Sequence, residues 1–229
     1  MNENRKISIA IDGPAGAGKS TIAKLVALRF GLEYVDTGAM YRGVALKSLR
    51  AGVAVDDADG LSKLAVETHF SFRVERPSPD ELINRVFIDG HEITDDIRTP
   101  EVSAAASKVS AVSGVRRALV SEQKKLGARG GVVMEGRDIC NVVLPEAEVK
   151  IFLTASAEER ARRRHLELAE KGLDEPYEKV LADIRERDER DSARADSPLG
   201  AAPDASIVDT DGKGIEQVVA EIAAIAEAK

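Results

Sequence analysis

Tryptophan is absent from this chain, cysteine occurs once and histidine three times, and aromatic residues make up 3% of 229 positions. The lone Cys140 excludes an intrachain disulfide and a cysteine-rich metal cluster. His69, His91 and His165 lie too far apart in sequence to suggest a metal site. No stretch approaches the length of a membrane span. Met1 to Lys6 are polar with no apolar signal region behind them, so a soluble cytoplasmic protein is expected. Nor is there a basic excess. Lys and Arg number 33 against 40 Asp and Glu, a net charge of −7, which argues against a general nucleic-acid or membrane surface.

What is present is aliphatic. Apolar residues reach 43%, enough for a real core, and with so few aromatics that core must be Ile, Val, Leu and Ala. The length suits one α/β domain, or one domain with an insertion. Alternating apolar residues from Ile7 to Ile11 lead into Gly13-Pro14-Ala15-Gly16-Ala17-Gly18-Lys19-Ser20, followed by Thr21. This is the phosphate-binding pattern G-x-x-x-x-G-K-[ST] in its strand–loop–helix setting. The glycines let backbone N–H groups turn around a phosphate chain, Lys19 adds a point charge, and the Ser20 hydroxyl can ligate Mg²⁺. The positive end of the following helix points at the same anion. The motif predicts binding of a nucleoside triphosphate.

Core strands are expected at Lys6–Asp12, Gly131–Glu135, Val149–Thr154 and Ser206–Thr210, with a shorter one at Glu33–Asp36. Each precedes a helical pattern, which predicts a parallel α/β sheet. Asp12, Asp36, Glu135 and Asp209 cluster at the C-terminal strand ends, where ligands sit in open sheets. Residues 69–98 break the alternation. His69–Val74 and Arg85–Ile88 read as short antiparallel strands around the turn-rich Arg76 to Asp80, and Asp89-Gly90 is a hairpin signal. A small β insertion on the α/β core follows. From Ala155 to Arg194 the pattern is helical and charged, with a break at Gly172 and Pro176.

Arg187, Asp191 and Arg194 are spaced to share one helix face. Such a face is either a solvated, ion-paired surface or a grip on a phosphorylated ligand, and spacing does not decide. The same holds for Arg160, Arg162, Arg163 and Arg164, which would suit a mobile lid over a triphosphate. Arg42 and Arg137 each follow a strand end and a turn-forming glycine. Thr37 as a helix cap and Asp138 as a turn former would explain those two residues but not the arginines.

With these residues in view, the chain resembles bacterial cytidylate (CMP/dCMP) kinases of the nucleoside monophosphate kinase group. The matching pieces are Ile11 to Thr21, Asp36-Thr37-Gly38-Ala39-Met40-Tyr41-Arg42, Ile97-Arg98-Thr99-Pro100-Glu101-Val102, Val115-Arg116, Glu135-Gly136-Arg137-Asp138-Ile139, and Glu186-Arg187-Asp188 through Ser197-Pro198-Leu199. They span nearly the whole chain. The resemblance implies a core of residues 1–68 and 99–229, an acceptor-binding insertion at 69–98, and an arginine-rich lid near 156–175.

The resemblance also implies roles. Ser107, Arg116 and Asp138 would meet cytosine, and Arg187 with Asp191 the ribose hydroxyl. Thr37, Arg42, Arg137 and Arg194 would hold the acceptor phosphate, and Arg160 with Arg164 would close over ATP. Catalysis is expected of Lys19, Arg137, Arg187 and Arg194, with Mg²⁺ on Ser20, in transfer of the ATP γ-phosphoryl group to CMP or dCMP by a monomer. A related kinase acting on UMP, AMP or shikimate, or a nucleotide-dependent switch, are the alternatives. One departure stands out: Cys140-Asn141 replaces the family's Gly-Thr. If that glycine needs a positive φ, Cys140 strains the turn that aims Asp138.

Overall fold

In the computed structural model, which describes residues 7–194 and 196–229, Ile9 and Ile11 pack into one layer of core and Ala10 into the opposite one. The period-2 alternation of a strand produces that split. The polar start of the chain and the Lys6 end of the first expected strand lie outside the described residues.

Five strands form the parallel sheet: β1 (Ile9–Asp12), β2 (Glu33–Asp36), β6 (Val132–Gly136), β7 (Val149–Thr154) and β8 (Ser206–Asp209), in the order β2-β6-β1-β7-β8. All five begin or end within a few residues of the expected bounds. The register aligns Asp36 with Glu135, and Asp12 with Gly136 and Phe152, so the acidic strand ends share one edge. Helices α1 (Lys19–Phe30) and α8 (Ile215–Glu227) cover the Ile9/Ile11 face through Ile22, Val26, Val218 and Ile222. On the other face Ile139, Cys140 and Val143 pack with Val35 and Met134.

Helix α2 (Thr37–Ala51) leads to α3 (Ala58–Val66) and then to an antiparallel sheet of β3 (Phe70–Ser78), β4 (Glu81–Ile88) and β5 (His91–Glu92). The β4–β5 turn, Asp89-Gly90, has φ of 51° and 81°, the left-handed pair of a two-residue hairpin. The first two strands outrun expectation. Pro77 lies inside β3 rather than in a turn because β3 is an edge strand, and the register shifts between Glu75 and Ser78. The longer hairpin reaches the main core, where Leu82 packs with the α1 residues. Phe70 also seats against Gly43 of α2, where a Cβ would stand 2.6 Å from the ring.

Helices α4 (Pro100–Val109) and α5 (Ser113–Gly127) close this side, and α6 (Ala157–Glu170) pairs with α7 (Tyr177–Ser192) across the expected break. Among the described residues, no helix is long and apolar enough to cross a membrane.

Candidate active site

A cleft of about 550 Å³ opens at the C-terminal edge of the parallel sheet. Its floor is the loop between β1 and α1. Gly13 passes so close to β7 that a Cβ would lie 1.9 Å from the Leu153 carbonyl oxygen, while Gly16 and Gly18 take φ of 79° and 88°. Lys19 folds back over the loop and donates from Nζ to the Pro14 carbonyl at 2.7 Å. Burial pushes its pKa well below the usual lysine range, and the Arg137 charge adds to that.

Asp12 sits beneath the loop, fully buried, and its two carboxylate oxygens accept the backbone N–H groups of Ile139 and Cys140, each at 2.8 Å. Burial raises its pKa despite those bonds. The accepted segment, Ile139–Val143, is a single wide helical turn that carries Asp138 at its head. Among the described non-glycine residues only Asp89 and Ser197 have positive φ, so Cys140 stands in this turn without backbone strain. Its Sγ lies 3.6 Å from the Ala10 carbonyl oxygen, and burial raises the thiol pKa, which leaves it inert.

Glu135 closes the floor. Its Oε1 accepts the Tyr34 hydroxyl at 2.5 Å, and the Ser20 hydroxyl lies beside both. Burial, then the nearby Asp36 charge, raises its pKa. The cap of α2 falls one residue earlier than expected: Asp36 accepts the Ala39 N–H at 3.0 Å and pairs with Arg42 at 2.6 Å. Thr37 is the first residue of the helix, and its hydroxyl donates instead to the Glu135 carbonyl at 2.7 Å. That ties α2 to β6.

At the far end Arg116 and Asp138 form a buried ion pair of 2.5 Å. The guanidinium stands over the Tyr41 ring, and burial pushes the Tyr41 hydroxyl up to about 12. Between floor and far end, Arg137 pairs with Asp191 at 3.2 Å. Arg194 pairs with the same carboxylate and donates to Ser110 Oγ at 2.9 Å, although α7 ends before it. Arg187 faces the cleft with no carboxylate partner among the described residues. Burial lowers its pKa to about 10, and the Arg137 charge adds to that.

Two expected residues lie elsewhere. Arg160 is turned inward, 4% exposed, with a bidentate pair to Asp188 (3.0 and 2.6 Å) and a bond to the Ala15 carbonyl at 3.2 Å. Arg163 takes the wall position beside Arg164, held by Glu159 at 2.8 Å and Thr210 at 3.0 Å. Ser107 accepts from Arg190 at 2.6 Å, and the cleft wall is made by Ser103 and Ser110 instead. Sequence reasoning named Arg163 only as one of the lid arginines, and it passed over Tyr34, Tyr41 and Arg98. Tyr41 and Arg98 were inside matched pieces, but nothing local to them signals an inward direction.

Comparison with known proteins points one way. The family model described as cytidylate kinase matches residues 9–228. The chain is 52% identical over 217 residues to the cytidylate kinase of Pelotomaculum thermopropionicum, covering 95% of this chain and 94% of that one. It is 50% identical over 223 residues to that of Exiguobacterium sibiricum, covering 97% and 98%. An uncharacterized protein from Eubacterium ventriosum superposes with a TM-score of 0.54 at 11% identity, covering 98% of this chain and all of that one, a likeness of fold alone.

Proposed function

The chain belongs to the cytidylate kinase family, and from that we infer that it transfers the γ-phosphoryl group of ATP to CMP or dCMP, giving ADP and CDP or dCDP. The bond from the γ-phosphorus to the ADP oxygen breaks as one forms to an oxygen of the acceptor phosphate. That oxygen is largely ionised at neutral pH, because phosphate monoesters have a second pKa near 6, so the step needs no general base. Catalysis is then the positioning of two polyanions and the stabilisation of spread charge. Lys19 and the arginines Arg137, Arg187 and Arg194 do this, with Arg42 and Thr37 on the acceptor phosphate. The division into a core, an acceptor-side insertion at 69–98 and a lid near 156–175 belongs to this reading, as do a cytoplasmic monomer and free nucleotides rather than nucleic acid as ligands.

The donors near Ser20 are all oxygens, and among the described residues no group of three or more His, Cys, Asp or Glu is able to hold a metal alone. That suits Mg²⁺, which keeps several waters and takes ligands from the phosphates. Ser20 would hold it, and its charge would offset that of the β- and γ-phosphates.

One observation carries the acceptor assignment: the buried Arg116–Asp138 pair in the cleft wall. The pair with Arg116 holds the Asp138 carboxylate in place as a hydrogen-bond acceptor suited to the exocyclic amino group of cytosine. Uracil presents a carbonyl there, at a loss of roughly 2–4 kcal/mol. A hydroxyl acceptor such as shikimate would need a base, and the candidate carboxylates are engaged, Asp36 by Arg42 and Asp12 by two N–H groups. The test is ADP formation with Mg²⁺, ATP and CMP, dCMP, UMP, AMP, GMP or shikimate in separate reactions. Turnover confined mainly to CMP and dCMP is expected. Equal slow hydrolysis in every reaction, with no phosphorylated product, overturns the kinase reading.

A further inference from the structure

Arg98 stands on the cleft wall with no assigned role. It ends the short helical turn Asp96–Arg98, and its Nε donates to the Thr94 carbonyl at 3.2 Å, which fixes the stem. Arg98 is exposed, and among the described residues it has no carboxylate partner. Apart from Arg187, every other arginine on the wall is ion-paired. The ammonium of Lys24, 5.9 Å over the Tyr34 ring, is near enough to sense the Arg98 charge. Arg98 thus brings to the cleft wall a positive charge that no carboxylate among the described residues pairs.

The side of the cleft identifies the anion. Ile97, next to Arg98, is buried among Met40, Tyr41 and Val44 of α2 and Val102 and Ala106 of α4. Arg98 therefore shares its support with Arg42, Gly38 and Ser103. The arginines that α6 brings to the wall, Arg163 and Arg164, rise from the opposite support. We propose that Arg98 is a ligand of the acceptor phosphate: its free guanidinium edge receives the phosphate monoester of the incoming nucleotide at the rim and holds it against Thr21 and Lys19. A guanidinium fork suits this better than an ammonium, because two parallel N–H groups match two phosphate oxygens.

This rests on the kinase reading, and binding measurements separate the two. Titrate the wild type, Arg98→Gln and Arg98→Lys with CMP, with cytidine, and with a non-hydrolysable ATP analogue plus Mg²⁺. In Arg98→Gln the CMP dissociation constant is expected to rise about ten- to a hundredfold, the range of a charge-assisted bond. Cytidine and the ATP analogue should bind as before, and Arg98→Lys should recover part of the loss. Equal weakening of CMP and cytidine, equal weakening of the ATP analogue, or no change in any of the three would overturn the proposal. Because Arg98 is exposed, neither substitution removes core packing. If the wild type prefers another nucleotide, the acceptor assignment fails, and that nucleotide and its nucleoside replace CMP and cytidine in the same comparison.

Discussion

On the floor of the cleft, Asp12 and Lys19 are held by backbone, Asp12 by two N–H groups of the 139–143 turn and Lys19 by the Pro14 carbonyl. On the roof, Arg162 and Arg163 of α6 share Glu159, Arg164 pairs with Glu167, and Arg160 meets Asp188 of α7. The floor thus has a geometry that ligands meet ready-made. The roof is held by carboxylates of α6 and α7. A fixed cradle is what transfer between two polyanions requires, since the donor must be held still.

Substitutions on the two surfaces should separate activity from stability. The largest effect is expected for Lys19→Ala, which should lower kcat by about a thousandfold or more, or ~4 kcal/mol. Its thermal midpoint should not fall, because the lost charge is one that burial already penalises. A kcat within tenfold of wild type would remove Lys19 from the chemistry. Asp12→Ala should act the other way, through the fold. Two buried N–H groups lose their acceptor, at about 2–4 kcal/mol in urea unfolding. The turn that aims Asp138 loosens with them, so the preference for CMP over UMP should narrow as well.

The roof contrast is sharper because its members are neighbours. Arg160→Ala leaves Asp188 and the Ala15 carbonyl without their partner and should cost about 3 kcal/mol of stability. Arg163→Ala should leave stability nearly unchanged and raise the KM for ATP about tenfold, a loss of ~1.4 kcal/mol. The reverse pattern in steady-state kinetics and melts would show the two roles exchanged.

The smallest effect is a pH dependence. Bonds from Arg162, with Arg163 adding, hold the Glu159 carboxyl at about 2 against an ordinary 4.5. Its folded value lies below the unfolded one, so its contribution is complete above about pH 4.5 and disappears as pH falls toward 2. Glu159→Gln should lower stability by under about 1 kcal/mol at neutral pH, given screening at a partly exposed site. Melting curves of variant and wild type should converge as pH falls through that window. A constant difference across it would assign the effect to packing.

Much of the floor was legible in the chain because its signals are local. The phosphate loop is contiguous, and the acids at strand ends were visible as soon as the strands were. Strand lengths in the hairpin were less so. Pro77 signals a turn by its chemistry, and only its edge position, with no neighbour requiring its N–H, lets β3 run through it. The Thr37 and Asp36 exchange has the same character. Both can cap a helix, and the choice fell to Asp36 because β6 offers the Thr37 hydroxyl a carbonyl.

By itself, then, the sequence determined the α/β order, the phosphate loop and the family to which the chain belongs, since each rests on residues adjacent in the chain. Tertiary structure decided which side chains of a uniform run face the ligand. Four arginines within Arg160–Arg164 point in successive directions around a helix that turns about 100° per residue. Which of those directions is the cleft depends on Asp188, Thr210 and the Ala15 carbonyl, groups from other segments that meet α6 only in the folded molecule.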